Sequence, residues 1–432
     1  MTAPLLLVPG GRALNGRVAV PGDKSLSHRA LLLGAVADGR SDLRGLSDGD
    51  DVARTAAAVS ALGARIEGTE ITGGRDRLTA PAGPLDMGNS GTTIRLLAGL
   101  VAGMEFAVVL TGDASLSTRP MDRVAIPLRL MGASVGGGGE RCFPPLTIRG
   151  GTLQGIDYTP PMASAQVKSC VLLAGLSAEG ETVVRERVLT RRHTEEMLAL
   201  CGADIKEENE GGGHVVRLKG GDLRPFEIDV PGDPSQAAFW LVAGAIVAGS
   251  EITLERVYVG QGRRGFLDVL LRMGADIDEV AVTGPGDLAA TATLTVRSGR
   301  LRATAVEADE ITGLDEVPVL AVAAAVAEGT TVFSGVGELR VKESDRLVAV
   351  VALVHAFGAT AEVHGDDLIV HGTEGLTAGV FDAGGDHRMA MAAAVAGAAA
   401  VGGGEPSRIS GFESVITSYP RFAEHLEALA RS

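Results

Sequence analysis

Three cysteines, Cys142, Cys170 and Cys201, are an odd number without CxxC spacing, which speaks against a disulfide framework or a cysteine-built zinc site. They read as small buried hydrophobes. Long apolar runs are also missing: Met389 to Val401 stops short of the roughly 18 to 20 residues that span a bilayer, so no membrane span is expected. The start, Met1-Thr-Ala-Pro-Leu-Leu-Leu-Val, lacks the basic segment and apolar length of a secretory leader, and a cytoplasmic protein is expected. Basic charge is in deficit, with 39 Lys and Arg against 54 Asp and Glu. The resulting net charge of −15 argues against a surface that tracks nucleic acid, so any anion-binding region must be local. The eight histidines show no HExxH or other clear metal-ligand spacing, and core or surface roles are expected for most of them.

Glycine, by contrast, is abundant, at 60 of 432 residues, while hydrophobic residues reach 45% and run in periodic blocks. That combination points to many tight turns rather than disorder. A short phrase recurs after helix-like stretches: Leu62-Gly63-Ala64, Met131-Gly132-Ala133, Cys201-Gly202-Ala203, Met273-Gly274-Ala275 and Phe357-Gly358-Ala359, at intervals of 69, 70, 72 and 84. Each reads as a left-handed glycine cap leading into a strand. A sixth helix is expected around Tyr419 to Ala430. Polar loops running into small-residue apolar helices head the same units at Asp23, Asn89, Ser164, Asp233, Asp315 and Asp386. Each unit reads as helix, strand, helix and further strands over about 70 residues, an α/β assembly. Val20-Pro21-Gly22-Asp23 returns verbatim as Val230-Pro231-Gly232-Asp233, which divides the chain into two domains of three units with a possible hinge at both places.

The heads carry the chemistry. Gly22-Asp23-Lys24-Ser25-Leu26-Ser27-His28-Arg29 opens an apolar helix with free N–H groups, a lysine and hydroxyls, the makings of an anion site, and Ser25 and Arg29 share a helix face. Gly88-Asn89-Ser90-Gly91-Thr92 repeats the logic, and Ser164-Ala165-Gln166 and Asp386-His387-Arg388 follow. Any one head is equally an ordinary N-cap, but six in register suggest positive helix ends converging on a ligand. In Arg340-Val341-Lys342-Glu343-Ser344-Asp345-Arg346, Lys342 and Arg346 read as like charges stacked at i and i+4, either a solvated face or two cations awaiting an anion. Ser115-Leu116-Ser117-Thr118-Arg119-Pro120 reads as a loop that a proline can stiffen to present Arg119. Gly260-Gln261-Gly262-Arg263-Arg264-Gly265 matches GxGxxG, yet a Gly-rich turn is the simpler account than a dinucleotide site.

Together these motifs, with Thr118-Arg119-Pro120-Met121 and Asp386-His387-Arg388-Met389-Ala390, resemble the enolpyruvyl transferases over nearly the whole chain, and most closely the branch acting on shikimate 3-phosphate. The resemblance implies a two-domain inside-out α/β barrel of six βαβαββ repeats, three per domain. One domain would be 22–230, and the other 1–21 with 231–432. The implied substrates are two small anions, phosphoenolpyruvate and shikimate 3-phosphate, over which the domains close. A monomer is expected.

Carried over by motif, Ser25 and Arg29 would hold the shikimate carboxylate, Ser164, Ala165, Gln166, Lys342 and Arg191 its phosphate and hydroxyls, and Lys24 and Asp315 would also contact this substrate. Lys24, Gly91, Arg119, Gln166, Arg346 and Arg388 would hold phosphoenolpyruvate. Asp315 matches the family's proton acceptor; Glu343, with Lys24, would protonate the donor carbon. Two positions depart from the pattern: Thr417 stands where many members have lysine, and Ala165 stands where others have a second serine, leaving Arg191 to take that hydroxyl's place. Gly91 resembles the glycine whose missing side chain leaves room for the herbicide glyphosate. The alternative is the sister transferase acting on UDP-N-acetylglucosamine, whose usual acid is a cysteine in the loop that here reads Asp113-Ala114-Ser115-Leu116-Ser117-Thr118-Arg119. A non-catalytic anion-binding repeat protein is the remaining reading, against which the acids Asp315 and Glu343 among cations speak.

Overall fold

A computed structural model describes residues 5–282, 290–402 and 404–431. The described chain forms two compact units, Gly22–Val230 and a second that joins the segment before it to the residues from Pro231 onward.

The unit Gly22–Val230 contains six helices: α1 (Lys24–Val36), α2 (Asp50–Ala61), α3 (Gly91–Val101), α4 (Asp122–Leu130), α5 (Ala165–Gly175) and α6 (His193–Leu200). They alternate with strands that make three four-stranded sheets of one pattern, a parallel pair continued by two antiparallel strands. In one, Leu85–Asp86 runs parallel to Ala107–Thr111, which pairs antiparallel with Phe143–Arg149 and through it with Ser134–Gly138. This is a βαβαββ repeat. The repeat at the start of the unit takes its leading strand from the unit's end, where Glu227–Asp229 runs parallel to Gly39–Arg44 with Ile228 opposite Leu43.

Helices that are apolar all round must be buried on every side. Accordingly, every residue from Leu26 to Val36 in α1 and from Val167 to Gly175 in α5 is buried, and α3 packs against both. The α3–α5 crossing depends on Gly99, because a Cβ there would stand 2.2 Å from the Cys170 carbonyl oxygen. Sheets lie outside these helices and turn one face inward; along Phe143–Arg149, Pro144, Leu146 and Ile148 are buried and their neighbours are not. Helices inside and sheets outside give the inside-out α/β arrangement. No closed β-barrel occurs among the described residues.

The second unit repeats the plan, with one of its three sheets reduced to three strands, through α7 (Pro234–Ile246), α8 (Gly265–Arg272), α9 (Val317–Ala324), α10 (Arg346–Ala356), α11 (His387–Ala399) and α12 (Phe422–Arg431). Here α7, α9 and α11 are the buried helices. The N-terminal segment completes two of its sheets: Asn15–Val18 runs parallel to Glu251–Tyr258, and Leu5–Val8 pairs antiparallel with Ser407–Ser410. Trp240 of α7 stacks on Phe422 at 4.6 Å and donates from Nε1 to the Tyr419 hydroxyl at 2.9 Å, which docks α12.

The glycine caps are as the sequence indicates, with positive φ at Gly63, Gly132, Gly202, Gly274 and Gly358. Cys142, Cys170 and Cys201 are buried free thiols. Two heads shift by one residue. Ser90, not Asn89, caps α3, and Glu316, not Asp315, stands at the N-cap of α9. No helix among the described residues is long and apolar enough to cross a membrane.

Candidate active site

In the unit Gly22–Val230 the sequence-predicted residues gather where α1, α3 and α5 begin. Asp23, Ser90 and Ser164 cap these helices by accepting from the amides of Leu26, Thr93 and Val167. Other N–H groups of each first turn have no intrahelical partner and can serve an anion. Side chains knit the three starts together. Gln166 donates from Nε2 to Thr92 Oγ1 at 3.1 Å and accepts from Arg95 Nη1 at 2.9 Å, while Arg29 Nη2 donates to Ser169 Oγ at 2.6 Å. His28 Nδ1 lies 2.7 Å from Thr55 Oγ1, which lies 2.8 Å from Thr93 Oγ1.

Arg29 is buried, and it also donates to Thr194 Oγ1 at 2.7 Å and to the Ser25 carbonyl at 2.8 Å. Hydroxyls and carbonyls orient a guanidinium without cancelling its charge. Arg191 Nη1 stands 3.5 Å from Ser25 Oγ, and Lys24 Nζ pairs with Asp51 Oδ2 at 2.9 Å. Arg119 follows the short turn Leu116–Thr118 and donates to Asn89 Oδ1 at 2.5 Å and Ser115 Oγ at 3.2 Å. A Cβ on Gly91 would stand 2.8 Å from Arg95 Nη1 and 3.3 Å from Arg119 Nη1, so glycine lets both guanidinia approach the first turn of α3. Burial, with Lys24 and Arg29 adding to it, holds the His28 imidazole well below its usual pKa and therefore neutral.

The second unit gathers acids and bases. Asp315 follows Gly313 and Leu314, both in left-handed backbone, with φ of 88° and 57°. That conformation strains a leucine. Around the Asp315 carboxylate stand Arg346 Nη1 at 3.4 Å, Arg388 Nη2 at 3.7 Å and Lys342 Nζ at 3.9 Å. Arg388 Nη1 also donates to the Asp315 carbonyl at 3.3 Å, and Lys342 Nζ to the Gly313 carbonyl at 2.7 Å. Arg346, the first residue of α10, is fully buried; it pairs with Asp386 Oδ2 at 2.8 Å and Glu343 Oε2 at 2.6 Å. Burial opposes its charge, yet Asp386, Glu343 and Asp315 together raise its pKa above the ordinary value. Burial likewise pushes Asp386 up, but Arg346 outweighs it and holds the carboxyl below the usual carboxylate range. Asp386 also caps α11. Such a set can hold an anion on its cations while Asp315 and Glu343 exchange protons with it.

The sequence profile of EPSP synthase (3-phosphoshikimate 1-carboxyvinyltransferase) matches residues 8–426. The chain belongs to the EPSP synthase family. It is 47% identical to the 3-phosphoshikimate 1-carboxyvinyltransferase of Synechococcus sp. (strain JA-3-3Ab), over 99% of this chain and 97% of the relative. Identity to the enzyme of that name from Bacillus cereus (strain ZK / E33L) is 44%, over 98% of each. Among solved structures, an EPSP synthase from Acinetobacter baumannii superposes with a TM-score of 0.85 at 42% identity, over 99% of this chain and 98% of that one. The enolpyruvyl transferase NikO from Streptomyces tendae, at 19% identity and a TM-score of 0.77, shares the fold.

In this member of the EPSP synthase family one expected local geometry needs correction. Lys342 and Arg346 are not stacked on one helix face, because Asp345 caps α10 by accepting from the Val348 amide and Lys342 lies in extended backbone before it. The two cations meet instead at Asp315. Thr417 closes a short turn by donating to the Ser414 carbonyl at 2.8 Å. The GxGxxG segment is the turn into α8. Sequence reasoning passed over Arg95, whose signal was its place one helical turn after Gly91. It also missed Lys168, a lone charge in an apolar helix. Lys168 is fully buried between Glu186 at 2.7 Å and Glu195 at 2.6 Å. These two acids and His214 have the spacing of metal ligands, but the Lys168 ammonium already supplies their cation.

Proposed function

We propose that the chain transfers the enolpyruvyl group of phosphoenolpyruvate to the 5-hydroxyl of shikimate 3-phosphate, giving 5-enolpyruvylshikimate 3-phosphate and phosphate, as a cytoplasmic monomer of the shikimate pathway. Relatives that are 43–47% identical over nearly the full chain carry the name of this activity. The observation that carries the assignment of roles is Asp315 set among Lys342, Arg346 and Arg388, with Glu343 on the same Arg346 guanidinium.

In the first step Asp315 takes the proton of the 5-hydroxyl as its oxygen bonds to C2 of phosphoenolpyruvate, and Glu343, with Lys24, delivers a proton to C3. The resulting tetrahedral intermediate then breaks its C2–O bond to phosphate, which leaves with the bonding electrons, while the Glu343 carboxylate takes a proton back from C3 and the C2–C3 double bond of the enol ether forms. Lys24, Ser25, Arg29, Ser164, Ala165, Gln166, Arg191, Asp315 and Lys342 hold shikimate 3-phosphate; Lys24, Gly91, Arg119, Gln166, Arg346 and Arg388 hold phosphoenolpyruvate. No step calls for a metal or an organic cofactor.

The loop Asp113 to Arg119 contains no cysteine, which favours this acceptor over UDP-N-acetylglucosamine. Phosphate release from phosphoenolpyruvate is expected with shikimate 3-phosphate and not with UDP-N-acetylglucosamine; the reverse pattern defeats the reading. Asp315→Ala should lower kcat by about a hundredfold or more with shikimate 3-phosphate binding retained, and near-normal turnover would remove Asp315 from the mechanism.

A further inference from the structure

The Gly-rich turn into α8 contains Arg263, to which the reaction as assigned gives no task, although the residue is only 4% exposed. Its Nη2 lies 2.9 Å from Oδ1 of Asp233, the cap of α7, and 3.0 Å from Ser235 Oγ. Its Nη1 lies 3.6 Å from Oε1 of Glu316, to which the Ser235 hydroxyl also donates. Asp233, Ser235 and Glu316 are all buried. Glu316 stands at the N-cap of α9, yet its side chain does not cap that helix and is engaged by Arg263 and Ser235 instead. The turn also presses on the loop before α9, since a Cβ on Gly265 would fall 1.6 Å from the Glu310 carbonyl oxygen.

One carboxylate would satisfy the buried charge of Arg263, but it meets two, from the starts of two different helices. A rigid guanidinium fork in that position fixes the helix starts relative to each other. Glu316 directly follows Asp315, whose backbone arrives through the strained Leu314 and whose carbonyl is held by Arg388. We propose that Arg263 is a positioning residue for Asp315. By fastening Glu316 to the start of α7 it fixes the peptide after Asp315, and with it the carboxylate that takes the hydroxyl proton. This inference rests on the role of Asp315 given above.

The test is a double-variant cycle read by phosphate release, with thermal melts alongside. Arg263→Gln should lower kcat by about tenfold to a hundredfold, the scale of a displacement of an ångström or so, while the KM for shikimate 3-phosphate stays within about twofold. Ser235→Ala should lower kcat in the same direction by less, and Arg263→Lys should restore part of the loss. In an Asp315→Ala background, Arg263→Gln should cost nothing more, because no carboxylate remains to misplace. Unchanged kcat in Arg263→Gln, or losses that multiply in the double variant, overturns the inference. Should Arg263→Gln fail to fold, Ser235→Ala decides by the same cycle. Normal turnover in Asp315→Ala alone brings down the role of Asp315 and this inference together, whereas a large loss there with multiplying effects brings down this inference only.

Discussion

In the unit Gly22–Val230, hydroxyls, amides and carbonyls orient the arginines at the helix starts: Thr194 and Ser169 hold Arg29, and Asn89 and Ser115 hold Arg119. In the second unit carboxylates do that work, with Asp386 and Glu343 on Arg346 and Asp315 facing Arg388. Both units are built from the same βαβαββ repeat, so the fold does not dictate the difference. A hydroxyl or amide partner orients a guanidinium without bringing a counter-charge of its own, which suits binding. Carboxylates offset the charge and add groups that can take and give protons, which suits chemistry.

The sharpest way to break this contrast is to substitute one residue in each unit and read KM and kcat separately. Arg29→Gln should raise the KM for shikimate 3-phosphate by about a hundredfold with kcat largely kept, the loss expected of a buried charge-assisted contact. Ser169 and Thr194 lie 2.6 Å apart and can satisfy each other in its absence. Glu343→Gln should instead lower kcat by about a hundredfold at nearly constant KM, with Arg346 still paired to Asp386. Should both variants lose the same parameter, the units do not divide the labour in this way.

How much of this could be read from sequence depended on how local each cause was. The glycine caps and the six-fold repeat were legible because a left-handed residue after a helix demands glycine wherever it occurs. The site residues were legible as motifs, but their partners were not. Arg346 and Asp386 are 40 residues apart, and nothing within either motif says that one buries against the other. The misreading of Lys342 and Arg346 came from running a helical period through Asp345. The signal was present, since Ser344-Asp345 before Leu347-Val348 is an N-cap signature. Lys168 was overlooked because its carboxylates lie on other elements, Glu186 on a strand and Glu195 on α6.

A smaller effect would sharpen the contrast from the binding side. His28 is buried neutral beside Lys24 and Arg29, so its folded pKa lies well below 6.5. The unfolded chain takes up this proton near pH 6.5 and the folded protein only at much lower pH. Stability is therefore complete above the unfolded value and declines as pH falls below it. The protein should therefore be less stable at pH 5.5 than at pH 8, and the part of that loss due to this group should vanish with the imidazole. Urea denaturation of the wild type and His28→Gln at both pH values gives the difference directly. Identical pH dependence in the two proteins would mean that His28 takes up its proton as readily in the folded as in the unfolded state and that its unit tolerates a further buried cation at low pH.

The smallest effect is expected at Gly91, where the contrast becomes one of space. The added Cβ of Gly91→Ala would meet Arg95 Nη1 at 2.8 Å and Arg119 Nη1 at 3.3 Å, both ends of flexible side chains that can move aside. The helix start carries no strain of its own here, since alanine suits the first turn of α3. Folding should survive, but Arg119 is assigned to phosphoenolpyruvate and would be displaced by a few tenths of an ångström. The KM for phosphoenolpyruvate should therefore rise severalfold, on the order of 1 kcal/mol, with kcat nearly unchanged. Glyphosate, being longer than phosphoenolpyruvate, should lose more affinity than the substrate does. Steady-state kinetics with and without the inhibitor measures both changes in one series. A KM that stays constant would show that the two arginines yield without consequence, and an unchanged ratio of inhibitor to substrate affinity would show that the added methyl group does not discriminate between the two.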